Sequence, residues 1–190
     1  MGRTRGATSE ARQRILETAD RLFYEHGVRA VGIDRVIAEA GIAKATLYVH
    51  FPSKDDLILA VLQYREKNVL EFFRAATGRH GRKTPLRAFF AALREWFDSP
   101  GFRGCAFQNA AIELADPKHP GTEFVRGHKQ RFFELIRGIV EETAGRSATK
   151  VAPVIALLVE GAVVTAVLQG RPDAADVARE AALKLSGEGA

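Results

Sequence analysis

One run of residues organises the N-terminal part of this chain: Ile33-Asp-Arg-Val-Ile-Ala-Glu-Ala-Gly-Ile-Ala-Lys-Ala-Thr-Leu-Tyr-Val-His-Phe-Pro-Ser-Lys54. Its first residues place Val36, Ile37 and Ala40 on one face of a short helix. Gly41 follows where a sharp turn requires a left-handed backbone. Ile42 and Leu47 then anchor a second short helix. The spacing predicts two helices joined by a tight glycine turn, which is a helix-turn-helix.

The second helix of this motif carries side chains that suit a DNA surface. We expect Thr46 and Tyr48 to reach base edges or phosphates. His50 and Lys54 are expected to contact phosphate, with Lys44 in support. Taken alone, Tyr48 is more typical of helix packing and His50 of a capped, buried imidazole. The surrounding motif favours double-stranded DNA as the partner.

The N-terminus is rich in arginine. Residues 1–54 hold nine Lys or Arg against six Asp or Glu, and Arg3, Arg5 and Arg12 lie among the first fourteen residues. This pattern predicts a basic arm that supports DNA binding. The alternative is a solvated, disordered terminus. The net charge of +5 is too small to establish DNA binding by itself.

The same residues resemble the TetR family of transcriptional repressors. The resemblance is carried by Ala40-Gly-Ile-Ala-Lys-Ala-Thr-Leu-Tyr48 and by His50-Phe-Pro-Ser-Lys-Asp-Asp-Leu57. In detail it covers roughly residues 9–60, and beyond them the length and helical rhythm agree. Two positions depart from the family pattern: Val49 stands where a polar or aromatic residue is common, and Ile37 stands where a small one is usual.

The resemblance implies a function and a domain organisation. It implies a repressor that binds a pseudo-palindromic operator as a homodimer and releases it when an effector binds. We expect a helix-turn-helix domain over residues 1–52 and a helical effector-binding and dimerisation domain over residues 53–190. No cofactor is expected. Repression rests on the resemblance alone, and the residues do not distinguish a repressor from an activator.

Helical periodicity recurs along the whole chain, while strand alternation is nearly absent. The predicted fold class is therefore all-α: a three-helix N-terminal helix-turn-helix domain followed by a C-terminal helical domain. A composition with 46% hydrophobic residues is typical of a globular chain. A single cysteine excludes an internal disulfide and favours a cytoplasmic protein.

The last two predicted helices, within residues 151–185, carry a dimerisation signal. Residues 151–168 are apolar around most of the helix, so this helix needs partners on several sides. We expect it to pack against a second chain, as in relatives that form a four-helix bundle. The alternative is a central core helix. Because Pro153 and Glu160 interrupt the apolar run, no membrane span is expected.

Aromatic residues are concentrated in the central part of the chain. They suggest an apolar cavity for a small-molecule effector, although core packing is the better explanation of any single one of them. The expected lining is Phe89, Leu93, Trp96, Phe97, Phe107 and Phe132, with Asn109 and Glu113 as polar points.

Cys105 is the only candidate for reactive chemistry. It follows Arg103 at the predicted start of a helix, and a cation and a helix N-terminus both stabilise a thiolate. The residue is therefore a possible thiol sensor, with inert burial as the alternative. An enzyme using Cys105 with His119 or His128 is disfavoured, because no motif of a catalytic site is present. No metal-ligand spacing occurs either. A third possibility is a helical adaptor that has lost DNA binding.

Overall fold

The computed structural model describes residues 2–80 and 84–188, with side chains left out at residues 2–9, 79, 80 and 146. These residues form helices and no strands, as the sequence predicts. The α-helices are α1 (Gly2–His26), α2 (Ile33–Ala40), α3 (Lys44–His50), α4 (Lys54–His80), α5 (Pro85–Phe97), α6 (Ala106–Leu114), α7 (Pro120–Ala144), α8 (Ala148–Gln169) and α9 (Ala174–Leu185). A single 3-10 turn, Gly145–Ser147, precedes α8.

The chain divides into two compact units whose boundaries differ from the predicted ones. Unit 1 contains the chain up to Lys67 together with Ala106–Gly127, and unit 2 contains Asn68–Cys105 and the chain from His128 onward. The predicted boundary at residue 52 follows the proline that ends the motif. In the structure the first half of α4 belongs to unit 1, because its apolar residues, Leu57, Ile58, Val61 and Leu62, are buried there.

Unit 1 is built around α1, which contacts both α2 and α3. Its core holds the fully buried residues Ile15, Ala19, Leu22, Val31, Val36 and Leu47. A partly buried ion pair joins α4 to α1: the Arg65 guanidinium donates to both oxygens of Asp20 at 2.6 and 2.9 Å. Burial raises the pKa of Asp20, and the Arg65 charge opposes that change. Arg65 also lies over the Tyr24 ring, 4.3 Å from its centroid.

Unit 2 has an aromatic core. Phe73 lies 5.4 Å from both Phe89 and Phe132 between ring centroids, and Trp96 lies 5.0 Å from Phe102. Helix α9 packs against α5 and α8. This packing buries alanines of α9, whose small side chains let the helices approach closely. The buried alanines are Ala174, Ala175, Ala178 and Ala182.

Helix α8 is long and apolar. Within the described residues, α8 is the only helix that has the length and composition of a membrane span. Its most apolar 18-residue segment has a mean hydropathy of 2.3, and a third of that segment is buried. Pro153 lies inside the helix without ending it. Pro153, the sixth residue of α8, therefore interrupts the run of apolar side chains but not the helix, and it removes one backbone hydrogen bond. One face of α8 is buried in unit 2, through Ala152, Ile155 and Val159.

Candidate nucleic-acid interface

The helix-turn-helix has the turn that the sequence predicts. Gly41 adopts a left-handed conformation (φ 61°, ψ 44°), and its N–H donates to the Ala38 carbonyl at 3.3 Å. The Ile42 N–H donates to the Ile37 carbonyl, also at 3.3 Å. These bonds satisfy the carbonyls at the end of α2 and direct the chain into α3. Gly32 precedes α2 in an extended conformation without a side-chain cap.

Helix α3 exposes one face and buries the other. Leu47 is fully buried, while Thr46 and His50, one helical turn apart, are half-buried along one flank of it. Val49 is 77% exposed and Tyr48 43% exposed. Ala45 is exposed as well. We call Ala45, Tyr48 and Val49 the α3 surface. Of these three residues, the sequence singled out only Tyr48 as a DNA contact.

Two of the predicted DNA-binding cations already have partners within unit 1. Lys44 Nζ donates to Asp34 Oδ1 at 3.1 Å, in an exposed pair that solvent screens. The Arg12 guanidinium lies over the Phe51 ring, 5.4 Å from its centroid, and Arg12 is exposed. Such stacking holds a guanidinium on the protein surface without removing its charge. Both side chains are exposed to solvent.

The start of α4 is capped by Ser53. The Asp56 N–H donates to Ser53 Oγ at 3.1 Å, and that hydroxyl donates to the Asp56 carboxylate at 2.7 Å. Lys54 Nζ reaches back to the Arg29 carbonyl at 3.4 Å. Partial burial lowers the pKa of Lys54, and the charges of Asp55 and Glu113 oppose this.

Arg3 and Arg5 lie in the first turns of α1. The chain is helical from Gly2 in the structure, so these arginines belong to a helix and not to the arm that the sequence suggests. Their side chains lie outside the described residues.

Helix α6 contacts the turn between α1 and α2 through Glu113, and the sequence did not predict this contact. The Arg29 N–H, in the turn between α1 and α2, donates to Glu113 Oε2 at 3.1 Å. The Arg29 guanidinium donates to the Leu114 carbonyl, also at 3.1 Å. Gly27 has a φ of 92°, and a Cβ there would lie 2.5 Å from a Glu113 oxygen. These partners are more than eighty residues apart in sequence, so no local pattern indicates them.

The residues predicted to line an effector pocket are divided between the two units. Phe107, Asn109 and Glu113 belong to unit 1, and the Glu113 carboxylate is occupied by Arg29. The other five residues belong to unit 2: Phe89, Leu93, Trp96, Phe97 and Phe132. The four aromatic rings among them pack against one another and against Phe73 in the core.

Cys105 is half-buried and close to a cation other than the predicted one. Lys129 Nζ lies 3.6 Å from Cys105 Sγ and 2.7 Å from a Glu160 oxygen. The sequence pointed to Arg103, which lies two residues before Cys105 in the chain. Lys129 is 24 residues away and comes from α7, so only the fold brings it to the thiol. Cys105 is the last residue of its segment of unit 2, directly before α6.

His119 and His128, the two histidines weighed for an enzyme, make contacts within the fold. The Gly121 N–H donates to His119 Nδ1 at 2.9 Å, and His119 Nε2 lies 3.3 Å from Asp55 Oδ1. His128 is buried and stacks on Phe132, with 6.2 Å between ring centroids. No group of three or more metal-ligating side chains occurs in the part of the chain that the structure describes.

A helical fold with an exposed third helix after a glycine turn defines a helix-turn-helix DNA-binding protein. Residues 15–61 match the family of bacterial regulatory proteins of the tetR type. Residues 83–182 match the tetracyclin repressor-like C-terminal domain, which covers more than half of the chain. The chain therefore belongs to the TetR family, whose members are DNA-binding transcriptional regulators and not enzymes.

Individual relatives agree with this assignment. A TetR-family transcriptional regulator from Streptomyces coelicolor is 35% identical with a TM-score of 0.86, over 95% of this chain and 96% of that one. A TetR regulator from Chloroflexus aurantiacus is 28% identical with a TM-score of 0.78, over 95% and 94%. The transcriptional activator FasR of Mycolicibacterium smegmatis is 35% identical over 50% of this chain, which spans 44% of that protein.

Proposed function

We propose that this chain is a repressor that binds a pseudo-palindromic operator as a homodimer and releases it in response to an effector. The observation that carries the proposal is the α3 surface, presented on an intact helix-turn-helix. A helix exposed in this way fits the major groove. The protein would act in the cytoplasm, on chromosomal DNA.

The proposed DNA contacts surround the α3 surface. Thr46 and Tyr48 would contact bases or phosphates, and Lys44 would exchange Asp34 for a phosphate oxygen. His50 and Lys54 would contact phosphate. Arg3, Arg5 and Arg12 would add contacts from the start of α1.

Dimerisation is proposed through α8 and α9. A groove of about 380 Å³ lies between these helices, and its lining is almost entirely apolar. We call it the α8–α9 surface; it consists of Val154, Leu157, Leu158, Gly161, Ala162, Thr165, Arg171, Ala174, Val177, Ala178 and Ala181. Leu157 is 73% exposed, and nearby Leu168 is 79% exposed. Exposed apolar surface of this kind is typical of a protein interface, and a second copy would also supply the second recognition helix for the operator.

The proposed signal travels through α6. Glu113 and Leu114 at its end bond to Arg29 in the turn that leads into α2. A structural change at the first residues of α6 would therefore reach the helix-turn-helix through these bonds. The trigger is either a small apolar effector in the aromatic region of unit 2 or modification of Cys105. In the second case, the thiolate adds to the β-carbon of an electrophilic alkene and the α-carbon takes up a proton. Lys129 Nζ lies 3.6 Å from the sulfur that would react.

The test is selection of bound duplexes from random DNA, followed by fluorescence anisotropy with the selected and shuffled sequences across a salt series. We expect a two-fold symmetric site, preference for it over shuffled DNA and a steep loss of affinity with salt. Equal, weak binding to both DNAs would contradict the proposal and favour the adaptor. Repeating the titration with N-ethylmaleimide on the wild type and on Cys105→Ser tests the thiol: release by the wild type alone supports it, and unchanged binding assigns the trigger to a reversible ligand.

A second candidate is transcriptional activation. It is favoured by one observation: the relative from Mycolicibacterium smegmatis is named an activator. In vitro transcription from a promoter that carries the selected operator distinguishes the two. Repression predicts fewer transcripts when the protein is added, whereas activation predicts more.

A further inference from the structure

The exposed face of the recognition helix is apolar where a polar face would be expected. Ala45 and Val49 stand two residues before and after the buried Leu47, so each points about 160° away from it. They are also one helical turn apart and share a face. The centre of the exposed face therefore consists of methyl groups.

The polar residues of α3 lie away from this centre. Thr46 and His50 are half-buried beside Leu47, and Lys44 is paired with Asp34. Tyr48 is exposed on the flank. The side chains that would enter the groove most directly are thus the two that have no hydrogen-bonding group.

We infer that Ala45 and Val49 read the C5-methyl groups of thymine in the operator. Among the groups that base pairs present in the major groove, the thymine methyl is the apolar one. Amide and guanidinium side chains select guanine or adenine by paired hydrogen bonds, and this helix presents neither. Each half-site should then contain thymine opposite Val49. This inference rests on the proposed binding of an operator through α3.

The test replaces thymine by uracil, which lacks only the methyl group. In the selected operator, each thymine of a half-site is exchanged for deoxyuridine together with its symmetric mate, and affinity is measured by anisotropy with the full-length chain. Loss of one methyl contact should weaken binding about fourfold, and loss in both half-sites about 15-fold. We expect this loss at one or two positions per half-site.

The variant Val49→Ala assigns the contact. It should bind the thymine and uracil operators nearly equally at the position that Val49 reads, while uracil at the remaining sensitive position still weakens binding. Val49 is exposed, and alanine favours helix, so the variant should fold. The matched control is Ile112→Ala, because Ile112 is an aliphatic residue with 76% exposure on α6. It should discriminate between the two bases as the wild type does.

The outcomes separate this inference from the proposed function. An operator that lacks thymine in its half-sites, or one that tolerates uracil everywhere, overturns methyl readout and leaves the repressor proposal intact. Full discrimination by Val49→Ala also overturns the assignment. Failure to select any preferred DNA would instead overturn the proposed function and this inference with it.

Discussion

Among the described residues, the α3 surface and the α8–α9 surface both expose apolar side chains, and they differ in extent and in their neighbours. The α3 surface is narrow and is flanked by Lys44 with its exposed partner Asp34. The α8–α9 surface is a groove of about 380 Å³ in which aliphatic side chains follow one another along two helices. A narrow apolar strip between polar groups suits a DNA groove, and a continuous apolar face suits another protein surface. Exposure alone therefore does not identify the partner; extent and flanking charge do.

The largest expected effect comes from placing a charge on the α8–α9 surface. Leu157→Glu should convert the dimer to a monomer, because a carboxylate would be buried without a partner. Affinity for the full operator should fall about 100-fold or more, since the two half-sites no longer bind as one unit. Sedimentation velocity and anisotropy measure the two effects. A monomeric variant with unchanged operator affinity would contradict the account, and Ile112→Glu should remain dimeric.

The next effect is expected in the turn between α1 and α2, where Gly27 lies against Glu113. Gly27→Ala should destabilise the folded chain by about 2 kcal/mol, because alanine is strained at a φ of 92° and its Cβ would meet Glu113. Thermal unfolding followed by circular dichroism measures the loss. Gly138→Ala is the control: this glycine lies inside α7 with no neighbour close to an added Cβ, so the substitution should be neutral or stabilising. Equal stability of both variants would show that the Gly27 turn is unimportant.

A smaller effect is expected at the cap of α4. Ser53→Ala removes the hydroxyl that accepts the Asp56 N–H and should cost about 1 kcal/mol in the free energy of unfolding. Chemical denaturation measures it. Ser186→Ala provides the comparison, because the Ser186 hydroxyl only donates to a carbonyl in the last turn of α9. A larger loss at Ser186 than at Ser53 would contradict the role assigned to the cap.

The smallest effect distinguishes phosphate contacts from base contacts. Lys54→Gln should weaken binding a few-fold for operator and shuffled DNA alike, and should reduce the dependence of log affinity on log salt by about two for a dimer. Val49→Ala should instead change the preferred sequence and leave the salt dependence unchanged. Salt titrations of both variants on both DNAs make the measurement. A sequence-selective loss at Lys54 would show that it reads a base.

Local sequence patterns predicted much of the fold, but they did not predict contacts between residues that are far apart in the sequence. Gly41 and the Ser53 cap act on residues within one turn, so their patterns are visible in the sequence. The bond from Arg29 to Glu113 and the approach of Lys129 to Cys105 depend on how helices pack. The sequence offered Glu113 as a polar point of an effector pocket, and its bond to Arg29 has no local signal. Val49 was noticed only as a departure from the family, although its exposure follows from the helical period once Leu47 is taken as the buried residue.

The central claim is that two copies of α3 read one operator together. It is tested most directly by lengthening the spacer between the half-sites of the selected operator and measuring the affinity of the wild-type protein. Inserting about five base pairs, half a helical turn, should abolish high-affinity binding because the half-sites then face opposite sides of the duplex. Affinity that is unchanged by the insertion would contradict the account, since each chain would then bind its half-site alone.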